Sequence, residues 1–309
     1  MPAESVVFVD GPWAHRTVTA GGTRFHLAEA GEGPLVLLLH GFPLFWWSWH
    51  HQLTALAEAG YRAVAVDLRG YGGSDKPPRG YDLNTLAGDA SGLVRALGEP
   101  RAAVVGHALG GLVAWTMASQ YPKVVRRLAV VSMPHPVRFR GAVLSSVPAR
   151  RSQAWASRHM LGFQLPVVPE RRLVAGEAEL VGRILRAWSR PGWPDPATER
   201  RFREAFRIQG VAHSALESYR WLFRSQVRPD GHRYLNAMRR RPVQAPTLQL
   251  HGALDTCVLP GSAQGSGRYV DGPYRWRLIE GAGHFPHQER PDDFDTALIG
   301  WLDDTEPDR

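Results

Sequence analysis

Five short apolar runs rich in Val and Leu set the strongest constraint on how this chain folds. They are Leu35–Leu39, Ala63–Val66, Ala102–Val105, Leu128–Val131 and Thr247–Leu250. Continuous apolar runs of this length are typical of strands buried on both faces of a parallel sheet. Helix-like stretches lie between them, at Trp49–Ala59, Leu83–Leu97 and Leu109–Tyr121. This alternation predicts an α/β fold with a doubly wound, mostly parallel sheet, which Val6–Glu29 enters as one or two extended segments.

From about His135 to Arg241 the pattern changes to helices alone. The helical stretches are Arg171–Arg190, Glu199–Gln209 and Ala212–Arg224. An insertion of this kind is expected to form a lid over the carboxyl ends of the strands, where open α/β folds bind ligands. We therefore predict a core domain of residues 1–134 and 242–309 and a helical cap (lid) domain of residues 135–241. The insertion carries 21 arginines and 8 acidic residues, which we interpret as a solvated helical surface rather than a site for an anionic partner.

Composition excludes several classes of protein. The 309 residues are 44% hydrophobic and 21% charged, which is ordinary for a folded chain and rules out a disordered one. No apolar run approaches the roughly 18 residues of a membrane helix, and no signal peptide is visible at the first residues. The single Cys257 permits neither an internal disulfide nor a cysteine-based zinc site. We expect a cytoplasmic monomer or homodimer with no metal or organic cofactor and no nucleic-acid or membrane partner.

A glycine-rich turn joins the third apolar run to the helix that follows it. The turn, Gly106-His107-Ala108-Leu109-Gly110-Gly111, has the frame of a nucleophile elbow, in which small residues allow a tight turn that raises the central residue above the sheet. The helix presents free N–H groups and the positive end of its dipole to the same point. The central residue is Ala108, whose methyl group cannot attack carbon. The frame therefore predicts an active-site position at which the nucleophile is missing.

Two residues further along the chain complete a catalytic pattern. Asp255 follows the run Thr247–Leu250, and His284 follows the strand-like run Trp276–Glu280. The order elbow, Asp, His is that of nucleophile, acid and base in hydrolases with this elbow. Asp255 would hold the tautomer and orientation of His284, which would act as a general base. In the loop after the first apolar run, we expect the backbone N–H of Phe42 to point at a developing oxyanion.

Several short motifs accompany this pattern. They are His40-Gly41-Phe42-Pro43 with the following Phe45-Trp46-Trp47-Ser48-Trp49, Arg69-Gly70-Tyr71-Gly72, Pro134-His135-Pro136 and Gly283-His284-Phe285-Pro286-His287. With them the chain resembles the α/β-hydrolases over roughly residues 10–302, and within that superfamily the epoxide hydrolases. The resemblance implies an elbow aspartate that attacks an epoxide carbon and forms an ester, which water activated by the His–Asp pair then cleaves. It also implies an oxyanion hole made by the N–H groups of Phe42 and Leu109.

The resemblance further implies two lid tyrosines that hydrogen-bond the epoxide oxygen. Tyr219 matches the second of them. His159 occupies the position that matches the first, and it would substitute as a hydrogen-bond donor. Four residues are expected in the substrate pocket: Phe45, Trp46, Trp47 and His107. Their aromatic character suits a small hydrophobic substrate.

Three explanations of Ala108 stay open. Ala108 replaces a catalytic aspartate, through engineering or natural loss; or it replaces the serine of an esterase- or lipase-like hydrolase, in which Gly-His-Ser-Leu-Gly-Gly is common; or the chain is a ligand-binding pseudoenzyme or uses His284 directly on water. Leu109 has no donor side chain at the position where haloalkane dehalogenases usually have Trp, so dehalogenation is not expected. Loss of the nucleophile costs about 10⁶ in turnover in a comparable hydrolase, so the chain as written is expected to be inactive or strongly impaired.

Overall fold

A computed structural model describes residues 4–145 and 152–304 and contains one eight-stranded sheet. Its strands are β1 (Ala14–Ala20), β2 (Thr23–Ala30), β3 (Leu35–Leu39), β4 (Arg62–Val66), β5 (Ala102–His107), β6 (Val125–Val131), β7 (Thr247–Gly252) and β8 (Tyr274–Ile279). The spatial order is β1-β2-β4-β3-β5-β6-β7-β8. Strands β3 to β8 run parallel, whereas β1 and β2 are antiparallel to their neighbours. The predicted α/β class with a mostly parallel sheet is confirmed.

Helices lie between the strands and after the last of them. They are α1 (His50–Glu58), α2 (Leu83–Ala96), α3 (Leu109–Gln120), α4 (Pro136–Ser145), α5 (Gln153–Ala156), α6 (His159–Gly162), α7 (Val168–Trp188), α8 (Pro196–Phe206), α9 (Val211–Arg224), α10 (Pro229–Arg240), α11 (Pro260–Ala263), α12 (Pro286–Glu289) and α13 (Pro291–Leu302). Short 3₁₀ turns occupy Glu4–Val7, Trp46–Trp49 and Ser266–Tyr269. In the part of the chain that the structure describes, no helix is long and apolar enough to cross a bilayer.

The predicted apolar runs are the inner strands of the sheet. All five side chains of β3 are buried, as expected for a strand covered by helices on both faces. The extended segment predicted at Val6–Glu29 is a β1–β2 hairpin that turns at Gly21 and Gly22. Both glycines have positive φ, of 56° and 78°, and two such residues in succession form the turn whose twist matches that of the strands it joins.

Between β6 and β7, residues 136–145 and 152–240 are helical or irregular, without a strand among them. Residues 146–151 of the predicted cap lie outside the described part. We name residues 135–241 the cap segment; their separation from the core as a domain stays a prediction. The cap segment packs over the end of β3, because the ring of Phe42 contacts Phe206 and Tyr219, with centroids 5.4 and 5.2 Å away.

Candidate active site

The turn between β5 and α3 has the geometry of a nucleophile elbow. Ala108 has φ 48° and ψ −110°, a backbone conformation that L-residues rarely adopt and that recurs at functional sites. A Cβ on Gly106 would lie 2.2 Å from the carbonyl oxygen of Gly110, and a Cβ on Gly110 would lie 2.2 Å from that of Leu39. The turn can close only because both positions lack a side chain, and it raises Ala108 above the sheet.

Asp255 and His284 form the hydrogen-bonded pair that the sequence predicts. The Nδ1 of His284 lies 2.8 Å from Oδ2 of Asp255, and both side chains are almost fully buried. A carboxylate accepts only, so Nδ1 of His284 carries the hydrogen, and in the neutral imidazole Nε2 has the lone pair. His284 also lines the cavity that Ala108 faces. The imidazole is thus held in the tautomer that a general base needs.

Further donors converge on the carboxylate of Asp255. Its Oδ1 accepts from the backbone N–H groups of Cys257 and Val258, at 2.8 and 2.9 Å, and its Oδ2 lies 3.2 Å from Nε2 of His251. Burial alone would raise the pKa of Asp255, but the charge interaction with His284 and the hydrogen bonds from His251 and His284 outweigh burial and lower the pKa. Asp255 therefore stays ionised beside its histidine partner. Sequence reasoning gave His251 no role, although it lies four residues before Asp255.

The N–H groups of Phe42 and Leu109 are available to a ligand. Leu109 is the first residue of α3, where the backbone N–H has no intrahelical acceptor. Within residues 4–145 and 152–304, neither N–H donates to a backbone or side-chain acceptor. Gly41 lets the Phe42 loop approach the elbow, since a Cβ at Gly41 would lie 2.7 Å from that of Ala108. The role of the two N–H groups as an oxyanion hole stays a prediction.

A cavity of about 40 Å³ lies beside Ala108, Leu109 and His284. The residues that line it are Ala108, Leu109, Leu112, Met133, Phe139, Ser157, His159, Met160, Tyr219, Leu222, Cys257, Val258 and His284. Burial raises the pKa of the Tyr219 hydroxyl well above its usual value, with smaller contributions from Cys257 and Tyr71. Tyr219 is therefore a neutral donor at any physiological pH. The structure thus brings five predicted site residues to one cavity: Ala108, Leu109, His159, Tyr219 and His284.

His159 lies at the cavity but cannot take the donor role that the sequence predicts for it. Its Nδ1 lies 3.1 Å from the carbonyl oxygen of Ala156. Because a carbonyl only accepts, Nδ1 carries the hydrogen. Burial lowers the pKa of His159 to about 4, although the Ala156 hydrogen bond opposes this. At neutral pH the remaining nitrogen, Nε2, is a hydrogen-bond acceptor, so Tyr219 is the donor side chain of the pair.

Phe45, Trp46, Trp47 and His107 do not line this cavity. Trp46 is fully buried, and its indole N–H donates to Val7 at 2.8 Å. The rings of Phe45 and Trp47 pack against Phe202 of α8, at 5.9 and 5.5 Å. These aromatic residues hold the cap segment and the N-terminal turn against the core.

His107 holds the backbone of His284 in place. Its Nε2 donates to the carbonyl oxygen of His284 at 2.8 Å. Burial lowers the pKa of His107 well below its usual value, and the nearby His284 lowers it further. A neutral His107 therefore fixes the backbone of His284 without adding charge.

Sequence reasoning missed Glu289, which holds the loop that carries His284. Its Oε2 accepts from the N–H groups of Gly283 and Arg190, at 2.8 and 2.7 Å, and its Oε1 accepts from that of Phe285 at 2.9 Å. A signal was present, since an acid in the short helix after Phe285 can reach back to the N–H groups that precede it, as in a capping box.

Fold, elbow, acid and base together define an α/β-hydrolase. The alpha/beta hydrolase fold family matches residues 34–291, and the chain belongs to it. Within the family it belongs to the epoxide-hydrolase-like branch. It is 35% identical to epoxide hydrolase 3 of Xenopus tropicalis, over 91% of this chain and 75% of the relative.

Two further similarities cover both chains almost completely. The chain is 31% identical to epoxide hydrolase A of Mycobacterium tuberculosis, over 94% of this chain and 98% of the relative. The solved structure of an epoxide hydrolase from an endophytic Streptomyces superposes with a TM-score of 0.82 at 30% identity, over 95% of this chain and 96% of that one.

Proposed function

We propose that this site is built to hydrolyse a hydrophobic epoxide through an aspartyl ester, and that Ala108 leaves it able to bind the epoxide but not to form the ester. One observation carries the proposal. His284, held by the ionised Asp255 with Nε2 free, lines the same cavity as the elbow residue and the donor Tyr219. His284 is placed to activate water for the second step of a two-step mechanism, whereas the nucleophile of the first step is absent.

The missing half would come from a carboxylate at position 108. Its oxygen attacks an epoxide carbon, the carbon–oxygen bond of the ring breaks, and Tyr219 donates to the oxygen that leaves. Nε2 of His284 then takes a proton from water, and the hydroxide adds to the ester carbonyl. The N–H groups of Phe42 and Leu109 stabilise the oxyanion. Collapse releases the second diol oxygen as an alkoxide, which takes the proton from His284, and the proton left on the carboxyl at position 108 restores Tyr219, whose own proton went to the first oxygen.

Reversion of the elbow tests the proposal. We expect Ala108→Asp to turn over a styrene-oxide-like epoxide, and the chain as written to be slower by about 10⁶-fold. The double variant Ala108→Asp/His284→Gln is expected to trap the ester, seen as an intact-mass increase equal to the mass of the epoxide. Full turnover by the unmodified chain, or no mass increase in the double variant, would contradict the proposed nucleophile.

The role of Tyr219 is separable from that of the elbow. In the Ala108→Asp background, Tyr219→Phe is expected to lower kcat about 100-fold, because it removes the donor to the leaving oxygen. Tyr61→Phe, at a tyrosine just before β4 and so at the opposite end of the sheet from the elbow, is the matched control and is expected to leave kcat unchanged. Equal kcat values for both variants would remove Tyr219 from the mechanism.

Leu109 favours a second candidate, because Gly-His-Ser-Leu-Gly-Gly is the esterase form of this elbow. If the protein derives from an esterase, Ala108→Ser is expected to cleave an aryl ester, whereas Ala108→Asp is expected to open no epoxide. If neither variant is active and the unmodified chain still binds epoxides, the protein is a binding pseudoenzyme.

A further inference from the structure

An apolar groove of about 450 Å³ lies on the cap segment beside the catalytic cavity. Three of its apolar lining side chains are largely exposed, Leu144 at 66%, Leu161 at 58% and Val227 at 81%, and Phe223 is half-exposed at 39%. They come from four separate places, namely the ends of α4, α6 and α9 and the connection to α10. An exposed apolar patch on a monomer marks a site of interaction.

Arginines border the same groove. Arg140, Arg158 and Arg224 are among its lining residues, and no acidic side chain is among those described. Arg158, which donates to the carbonyl oxygen of Trp155, and Arg224 are exposed, and neither makes an ion pair with any described residue. We name these three arginines and the four apolar residues Leu144, Leu161, Phe223 and Val227 the groove face. It combines apolar side chains with uncompensated positive charge.

The groove adjoins the catalytic cavity. Both are lined by Leu112, Phe139, Ser157, Met160 and Leu222. These shared side chains form the boundary between the groove and the cavity that holds Tyr219 and His284. The groove face therefore lies next to the site.

We propose that the groove face docks this protein on an anionic lipid bilayer. Exposed apolar side chains at helix ends insert at the level of the lipid headgroups, and neighbouring arginines bind lipid phosphates while their stems cover apolar surface. The cytoplasmic leaflet carries the negative potential that such arginines need. The sequence predicts no membrane partner, because its arginine excess is spread along the cap segment, and only folding gathers three arginines around four exposed apolar residues.

Charge complementarity favours a bilayer over a protein partner or a second copy. A second copy would present the same three arginines to one another across a symmetric interface, and like charges there are unfavourable. Docking in this orientation also places a hydrophobic substrate dissolved in the bilayer next to the boundary of the cavity. This consequence rests on the proposed function, whereas docking itself does not.

Vesicle flotation of the unmodified chain tests docking without any assay of catalysis. We expect the protein to float with vesicles of phosphatidylcholine containing 30% phosphatidylglycerol, and to float much less with phosphatidylcholine alone. Binding is expected to weaken from 0.05 to 0.5 M NaCl, since exposed charges are screened. Absence of flotation with the anionic vesicles, or equal flotation with both compositions, would overturn the proposal.

Paired variants locate the surface. Arg158→Gln/Arg224→Gln is expected to weaken binding about 25-fold, at about fivefold for each arginine near an anionic surface. Leu161→Ser/Val227→Ser is expected to weaken it about tenfold or more. The matched controls, Arg277→Gln and Leu278→Ser, change an exposed arginine and a half-exposed leucine on β8 and are expected to bind like the unmodified chain.

Other occupants of the groove face would give different results. If a second copy covers it, sedimentation shows a dimer that Leu161→Ser/Val227→Ser dissociates. If another part of this chain covers it, the same variant loses thermal stability without any change in flotation. Either result, or a loss of binding in the β8 controls equal to that in the groove-face variants, overturns the proposal.

Discussion

Ala108 holds a backbone conformation that a residue with a side chain adopts only under constraint. Its φ of 48° with ψ of −110° carries strain of about 1–3 kcal/mol. An alanine gains nothing chemically from this strain, so the surrounding strand, helix and glycines impose it. The elbow is therefore a property of its neighbours rather than of the residue at its tip, and a carboxylate restored at position 108 would find its geometry already in place.

Relief of this strain is measurable. We expect Ala108→Gly to raise the free energy of unfolding by about 1 kcal/mol, because glycine adopts positive φ without a steric penalty. Urea denaturation measures the change. Ala237→Gly, inside α10, is the matched control and is expected to lower the free energy by about 0.5–1 kcal/mol. Equal destabilisation by the two substitutions would mean that the elbow is unstrained.

The depressed pKa of Asp255 gives stability a defined dependence on pH. A carboxyl whose folded pKa lies below its usual value of 3.8 stabilises the protein above that value, and the contribution is lost as pH falls through the folded pKa. Asp255→Asn is therefore expected to lower the free energy of unfolding at pH 7 by about 2–3 kcal/mol. The difference in the free energy of unfolding between Asp255→Asn and the unmodified chain should become smaller as the pH falls below about 4.

Chemical denaturation from pH 3 to pH 7 checks this expectation. Asp10→Asn, at an exposed residue, is the control and should change the free energy of unfolding little at pH 3 or at pH 7. A deficit in Asp255→Asn that grows on acidification would contradict the assigned charge state.

Site residues differ in how far the sequence could predict them. Asp255 and His284 follow from chain order and strand ends, because the elbow frame requires partners at those positions. The role of His159 does not follow, since it depends on which nitrogen donates to Ala156, and that contact exists only after α5 and α6 fold together. Trp46 was wrongly expected in the substrate pocket for a similar reason. Its apolar character predicts that the side chain is buried, but not which residues it packs against.

At the scale of elements, α12 joins the catalytic loop to the cap segment. The carboxylate of Glu289 accepts from the backbone on both sides of His284 and from Arg190, just beyond the end of α7. The N–H of His284 itself donates to the carbonyl oxygen of Trp188 at 2.8 Å. The position of the base is therefore coupled to the position of the cap segment above it.

Removal of this carboxylate is expected to weaken both the fold and the base. Glu289→Ala leaves three backbone N–H groups without their acceptor, and should lower the free energy of unfolding by about 3 kcal/mol. In the Ala108→Asp background it should lower kcat more than it raises KM, because it loosens His284 rather than the substrate contacts. Glu280→Ala, at an exposed acid just before the same loop, is the control, and an equal effect there would refute the coupling.

Elements of the sheet were predictable because a strand buried on both faces has to be continuously apolar. Helices of the cap segment were less so. The sequence predicts stretches that overlap α7, α8 and α9, but α4, α5, α6 and α10 were missed. Arg138 and Arg140 interrupt the apolar residues of α4, which buries only Pro136 and Ala142, and a run of arginines ends α10.

For the whole molecule, charge and apolar surface are distributed unevenly between the two parts of the chain. The 21 arginines of the cap segment were visible in the sequence, and so was its position over the strand ends. Its exposed apolar residues were not, because helical periodicity predicts one buried face. Val227 lies beyond the last turn of α9, where no periodicity applies. The groove face is thus a product of tertiary structure.

A site that binds an epoxide without consuming it should stabilise the whole molecule for as long as the ligand is present. A ligand at 100 times its Kd adds about 2.7 kcal/mol to the free energy of unfolding, or roughly 5 °C in Tm at about 2 °C per kcal/mol. We expect a hydrophobic epoxide to raise the Tm of the unmodified chain by this amount, and to hold it there for hours. The hydrocarbon without the epoxide oxygen should raise it less, because it offers no acceptor to Tyr219. In Ala108→Asp the shift should relax, as the substrate is consumed, to the value given by the diol. A shift that decays equally in both chains would mean that turnover does not need a carboxylate at position 108.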